Sequence, residues 1–315
     1  MHLPVVFWRN RSVNLVSFGL FASVGSMLGT LVSFYYLFAN GVDISQVGWQ
    51  IALTTTGFNL LFAKLFVGYS VGMKSYLKDI THNLNQTSFH QQGGVIGFIL
   101  SIILLHYWLG IPVTLLGDTA CLGGILIVAI GRIGCFNYGC CTGIVAHGST
   151  GRPYTDPEAR ICRDHPELLN TPLIPVQLYA AAIDIFIFGL CCLAWLFFHY
   201  SGLIMTVFFV GLNLKRIAIQ PYRFKSSSNK LPYRWVAFGL ILFFAAASLF
   251  FNYSGEQFFA PMPPALFSGP LFGQFLLDSP VPLSAIFVTG VINFLAYGIH
   301  GRRLGTHFNL NTEHS

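Results

Sequence analysis

Apolar residues along this chain arrive in unbroken runs, without the alternating or two-faced patterns of a soluble fold. Eight segments stand out, at about 13–38, 47–72, 93–109, 113–131, 174–199, 202–220, 234–252 and 282–299. A helix needs about 20 apolar residues to cross the hydrocarbon core of a bilayer, and most of these runs suffice. The third and fourth are separated only by Gly110–Ile111–Pro112, and the fifth and sixth by His199–Gly202, which predicts two tight antiparallel hairpins. Residues 256–281 carry Pro261, Pro263, Pro264 and Pro270 and read as an interfacial or re-entrant segment. Polar residues concentrate at 132–173, between the fourth and fifth runs, which predicts a small extramembrane head. The expected fold is all-α: one integral membrane domain over residues 1–315, a polytopic bundle of seven or eight transmembrane helices.

Composition agrees. The chain is 54% hydrophobic and 9% charged, where a soluble domain carries about 25% charged residues. The net charge of +6 is not a nucleic-acid signal, because no basic run is long and none sits in a soluble module. All 17 Lys and Arg fall on the side of the N-terminus or at that end of a span, while the opposite loops hold Asp43, Glu256 and Asp278. The positive-inside rule would place that side in the cytoplasm. Seven cysteines, an odd number lying mostly in or near apolar runs, argue against a disulfide framework.

Ionisable groups within spans are costly and mark function more often than not. The candidates are Lys64, His90, Asp118, Arg132, Asp184, Lys215, Arg216 and Arg223. Any one of them alone can snorkel to an interface, but four converge. Arg132 ends the fourth span, Arg216 and Arg223 end the sixth, and His90 opens the third. Three arginines near one depth require an anion, and the guanidinium fork suits phosphate. Arg216, Gln220 and Arg223 are spaced i, i+4, i+7, the spacing of one helix face. Gly93, Gly94 and Gly97 would let another backbone or a ligand approach closely.

The densest motif is GRIGCFNYGCCTG, residues 131–143. Its glycines Gly131, Gly134, Gly139 and Gly143 leave backbone amides accessible, which favours an anion-cradling turn. Its cysteines, Cys135, Cys140 and Cys141, lack the C-x2-C spacing of structural zinc sites, and adjacent cysteines are awkward for one tetrahedral centre. No metal is therefore expected. A reactive thiol beside Arg132 and simple packing both remain open for them.

At this point GRIGCFNYGCCTGI, residues 131–144, resembles the signature of the prolipoprotein diacylglyceryl transferase family, approximately GRIGNFINGELWGR. Other segments agree in spacing. Asp118 lies fourteen residues before Arg132, and IPVQLYA at 174–180 is similar to the family's HPSQLYE, with Asp184 at its later acid. Arg216, Gln220 and Arg223 follow its R-x3-E-x2-R pattern, Lys64 stands at the arginine of GARLxY, and SFHQQGG at 88–94 is similar to SFHGG. The resemblance implies a multi-pass enzyme of the bacterial plasma (inner) membrane. It would transfer the diacylglyceryl group of phosphatidylglycerol to the lipobox cysteine thiol of a prolipoprotein, with no cofactor and no nucleic acid. The implied catalytic residues are His90, Arg132 and Arg223. The implied lipid-binding residues are Lys64, Gly93, Gly94, Gly131, Gly134, Gly139, Gly143, Gln177, Tyr179, Arg216 and Gln220.

The departures fall on acids and amides. Cys135, Tyr138 and Cys140 replace two Asn and a Glu, Ile174 replaces a His, and Gln220 replaces a Glu. The histidine before the glycine pair is displaced: either His90 takes its role after a two-residue insertion, or Gln92 occupies the position and the base is missing. Phosphate binding is thereby spared more than thiol activation. Two other expectations follow: a paralogous phospholipid-using transferase with a different acceptor, or a non-catalytic lipid-binding membrane protein. The family places the signature loop on the outer face, against the charge count. That face is preferred, since arginines kept for an anionic substrate do not report insertion.

Overall fold

Long apolar runs become helices because only a helix satisfies every backbone N–H and C=O of a single segment inside a bilayer. The computed structural model describes residues 3–71, 89, 91–147, 151–198, 200–224, 269–277, 280–302 and 304–305. Its order is β1 (Val6–Arg9), β2 (Val13–Val16), α1 (Ser17–Ala39), α2 (Ile44–Val71), α3 (Gln91–Leu109) and α4 (Val113–Tyr138). It continues with β3 (Arg152–Pro153), α5 (Arg160–Asp164), β4 (Pro172–Leu173), α6 (Val176–Phe198) and α7 (Leu203–Ile219). The last elements are α8 (Gly269–Leu277), α9 (Pro280–Gly298) and β5 (Ile299–Gly301).

Five of these helices, α1, α2, α4, α6 and α7, are long and apolar enough to cross a membrane. The α8–α9 pair, bent by 77°, makes up to six. Five or six spans among the described residues stand against the seven or eight expected. Helix α3 falls short because its apolar stretch is only Gly93–Leu109, and the run at 234–252 lies outside the described residues. So does most of 256–281, of which α8 is the described part. Apolar side chains also cover the outside of the bundle. Leu20, Val24 and Leu28 on α1, and Phe287, Val291 and Leu295 on α9, are exposed at helical spacing. Such stripes are stable facing lipid and not water.

The bundle is mostly helical but not all-α. β1, β2 and β5 form an antiparallel three-stranded sheet that joins the two ends of the described chain, with Val13 opposite Gly301 and Leu15 opposite Ile299. Strands of three or four residues leave almost no periodic signal. They form here because α1 and α9 pack side by side and carry β2 and β5 into register. β3 and β4 make a second, two-stranded sheet between α4 and α6. A small core of Val5, Val16, Tyr138, Tyr154, Ala159, Ile161, Cys162 and Leu173 ties this region to the N-terminal hairpin.

The main core lies toward the other end, where Tyr36 meets Trp195 edge-on at 4.9 Å between ring centroids. There Asp118, fully buried on α4, accepts hydrogen bonds from the backbone N–H groups of Gly202 (2.7 Å) and Met205 (2.8 Å). A carboxylate at a helix N-terminus satisfies orphan donors and opposes the positive dipole end. Asp118 therefore clasps the start of α7, and the α6–α7 hairpin forms as expected. The α3–α4 hairpin does not close tightly. α3 lies chiefly on α2, because a Cβ at Gly93 would reach the Phe62 carbonyl at 2.2 Å and one at Gly97 the Phe58 carbonyl at 2.3 Å.

Helices α1 and α4 approach closest at Gly29 and Gly123. A Cβ at Gly123 would sit 2.1 Å from the Ser33 hydroxyl and 2.4 Å from the Gly29 carbonyl. Small residues at membrane helix crossings permit such backbone approach. Gly123→Ala is accordingly expected to destabilise the chain by about 1–3 kcal/mol through overpacking. A lowered melting temperature in detergent checks this, whereas Gly57→Ala, which would meet nothing within 4 Å, should leave it unchanged.

Candidate functional site

The signature begins inside the last turns of α4 and leaves through a left-handed cap. Gly139 has φ +76, and its N–H donates to the Cys135 carbonyl, a C-terminal arrangement that glycine adopts without strain. The Cys140 N–H donates to the same carbonyl at 3.1 Å. Two signature residues are spent on holding this end in place. Asn137 accepts from the Leu3 N–H (2.9 Å) and donates to the Ser17 hydroxyl (2.7 Å), while the Tyr138 hydroxyl accepts from Arg163 (2.9 Å).

Past the cap, the chain runs back over the bundle. Gly143 and Arg223 form a β-bridge, flanked by Ile144 N–H to Tyr222 (3.0 Å) and Phe224 N–H to Thr142 (3.0 Å). Arg223 is thus not on the helix that carries Arg216, which corrects the one-face reading of Arg216, Gln220 and Arg223. α7 stops at Ile219, a 3-10 turn covers Gln220–Tyr222, and Arg223 is extended with φ −82 and ψ 140. Pro221 is the cause, since it has no N–H to give the preceding turn and its ring crowds that carbonyl. The break still brings the third arginine to the signature, by way of the strand-like bridge. Gly143 has to be small there, because a Cβ would meet the Ile174 carbonyl at 2.3 Å.

Charge converges at this end of the bundle. Arg132 lies within electrostatic reach of Asp184 and of the thiols of Cys135, Cys140 and Cys141. Cys141 in turn feels both Arg132 and Arg223, and Lys215 feels Arg132 and Arg216. Asp184 and Lys215, both buried, form an ion pair. Asp184 thereby has Lys215 as its direct partner and Arg132 within electrostatic reach, and its second carboxylate oxygen makes no hydrogen bond among the described residues.

The three signature sulfurs lie within 4.8 Å of one another, which neither the spacing nor the resemblance anticipates. Cys141 has φ +56, a left-handed conformation uncommon for any residue but glycine, and this brings two adjacent side chains to bear on Cys135. Thiol hydrogen bonds from Cys135 and Cys140, then the fields of Arg132 and Arg223, hold the Cys141 thiol well below its ordinary value. A lowered thiol pKa beside cations is the setting of reactive cysteines.

The remaining expected residues divide. Buried Gln177 donates to the Cys140 carbonyl (2.7 Å) and the Tyr154 hydroxyl (3.3 Å), so its amide nitrogen holds the turn. Its oxygen, like that of Gln220, is buried without a hydrogen bond among the described residues. At Gly131 an added Cβ would meet nothing within 4 Å, whereas at Gly134 it would strike Phe21 and at Gly139 Ala159. Gly93 packs on α2, and Gly94 stands 3.0 Å from the Asn59 amide by the same measure. Lys64 stacks over the Phe89 ring at 5.0 Å. Tyr179 is exposed on α6. His90 lies outside the described residues. A cavity of about 1030 Å³ is lined by Arg9, Arg11, Tyr138, Arg160, Arg163 and Arg302 with Glu158 and Asp164. It takes Tyr138 from the signature but none of Arg132, Arg216 or Arg223. The signature end is taken as the site because its cations and thiols converge there.

Lipid-facing helices with a basic, polar end of this kind define a multi-pass membrane protein. The model of the prolipoprotein diacylglyceryl transferase family matches residues 4–253, and the chain belongs to that family. It is thus a transferase of lipoprotein biosynthesis. No curated protein matches it.

Proposed function

We propose that the chain transfers the diacylglyceryl group of phosphatidylglycerol to the cysteine thiol of a prolipoprotein, in a bacterial plasma membrane. The observation that carries this reading is the approach of Arg132 and Arg223 to one signature thiol from two different segments. Two guanidinium groups at the bilayer edge suit a phospholipid phosphate. As the glyceryl carbon–oxygen bond breaks, charge grows on the departing glycerol phosphate, and cations fixed in a partly dry site stabilise it there. Open space at Gly131, next to Arg132, supports a head group at that point. Gly139, Gly143 and Gln177 position the turn around it, with Lys64, Arg216 and Gln220 nearby on the same face. His90 is the base that the family resemblance supplies for the acceptor thiol, since an imidazole titrates near neutral pH. Of residues 132–173, those past the end of α4 at Tyr138 would form a head outside the bilayer, on the outer face.

One observation favours a second reading, a related transferase with another acceptor. Gln220 and the signature cysteines replace acids and amides, and Gln177 spends its donor on the turn. Incubating the purified chain with phosphatidylglycerol and a lipobox peptide, followed by mass spectrometry, tests both. A diacylglyceryl thioether on the peptide is expected, with glycerol phosphate released. Lipid consumed without a thioether would select the other acceptor, and lipid bound without turnover would end the enzymatic reading.

A further inference from the structure

The signature cysteines assemble the ligand set of a soft metal ion. A zinc–thiolate bond is about 2.3 Å, so two sulfurs on one tetrahedral ion stand about 3.8 Å apart. Cys135, Cys140 and Cys141 have their sulfurs within 4.8 Å of one another, close enough that small side-chain rotations bring all three to one centre. The backbone favours this convergence. Cys135 is in the final turn of α4, the cap at Gly139 reverses the chain, and left-handed Cys141 turns the third thiol back onto the first two. A non-glycine residue in that conformation is strained and persists where its surroundings fix it, which is common at functional sites. The adjacency that argued against a metal from spacing alone is therefore resolved in three dimensions.

Charge and access agree. Three thiolates around a divalent cation carry one net negative charge, and Arg132 and Arg223 are within electrostatic reach to balance it. Cys141 is exposed, whereas Cys135 and Cys140 are half-buried. An ion can thus enter past Cys141 onto a prepared pair. Thiolate ligands select soft cations such as zinc or cuprous ion over magnesium or calcium. Three protein ligands also leave the fourth tetrahedral position open, the hallmark of catalytic rather than structural zinc.

We propose that Cys135, Cys140 and Cys141 bind one zinc-like ion and that the acceptor thiol enters its fourth position. This rests on the transfer reading given above. Coordination makes the incoming thiol far more acidic, and its proton passes to the base of the transfer reading. The bound sulfur then forms the C–S bond at the glyceryl carbon with its own electron pair. The carbon–oxygen bond to phosphate breaks, and the leaving glycerol phosphate takes that electron pair beside Arg132 and Arg223. No oxidant or reductant is needed. The ion thereby supplies at the signature the thiol activation that the replaced acid and amides no longer provide.

The full chain, purified in detergent from zinc-supplied cells under reducing conditions and dialysed, should retain about one zinc per chain. Cys135→Ser, Cys140→Ser and Cys141→Ser should each lose it, and Cys162→Ser and Cys192→Ser should keep it. Wild type reloaded with Co2+ should show a thiolate-to-metal charge-transfer band that intensifies when a lipobox peptide is added. Serine at that peptide's cysteine should abolish the increase. Substoichiometric zinc in reduced wild type, a disulfide among the three cysteines, or equal loss in the control variants overturns the site. An unchanged cobalt spectrum overturns thiol entry. Full-rate transfer by the metal-stripped chain overturns the metal's part and leaves the transfer reading standing. Ion and thiol bound without transfer overturns the transfer reading and leaves the site.

Discussion

Arg132→Ala is expected to lower the rate of diacylglyceryl transfer by about two to three orders of magnitude, the loss found when one preorganised donor to a developing charge is removed. Arg132 is half-buried in the last turns of α4, so its guanidinium works where water screens it less than at a surface. It lies within reach of Asp184 and the three signature thiols. The fall should therefore appear in kcat more than in KM, because the leaving phosphate gains charge only as the bond breaks. Arg132→Lys keeps the charge but loses the planar fork and should recover only part of the rate. Arg223→Ala should behave similarly without unfolding the bridge, since Gly143 pairs with the Arg223 backbone and not its side chain. Rates with labelled phosphatidylglycerol in detergent micelles check the series. A rate within a few-fold of wild type for Arg132→Ala would remove Arg132 from the chemistry.

The long helices were legible because hydrocarbon imposes a single requirement over some 20 residues, and the apolar runs of α1, α2, α4, α6 and α7 meet it. What escaped was short or depended on partners. β2 and β5 have four and three residues, and their pairing comes from the packing of α1 on α9. The stripe from Arg216 to Arg223 was misread, although Pro221 stood inside it in plain view. A helical period was extended through a residue that ends helices, and the arginine reached the site by another route. Asp118 and Asp184 both stood out as costly charges, yet their roles diverge with partners that spacing cannot show: backbone N–H groups of α7 for one and Lys215 for the other. The proximity of the three signature sulfurs escaped because spacing rules assume ordinary backbone angles. It comes with the left-handed Cys141, and nothing in a C-C pair announces it. The arginines of the site, by contrast, could be grouped from depth alone, because like charges at one end of a bundle have few explanations besides an anion.

Lys215→Met should cost about 3–5 kcal/mol, the usual effect of stripping one partner from a buried ion pair. Asp184 is fully buried and Lys215 is 7% exposed, and one carboxylate oxygen already lacks a hydrogen bond among the described residues. Without the ammonium, the field of Arg132 is left among the described groups to offset the desolvation of Asp184. Loss of monodisperse protein on heating in detergent measures the effect. The double variant Asp184→Leu, Lys215→Met should recover most of the stability, since an apolar pair of similar volume often equals or exceeds a buried ion pair. Transfer should not recover in parallel. Asp184 is a carboxylate within electrostatic reach of Arg132, and a guanidinium that loses its carboxylate loses an orienting partner. The expected double variant is thus stable and slow, with kcat affected more than KM and the Arg132→Ala effect diminished in its background. If stability and rate return together, the pair serves the bundle alone. If neither returns, the pair is not separable from the fold, and its part in orienting Arg132 is refuted.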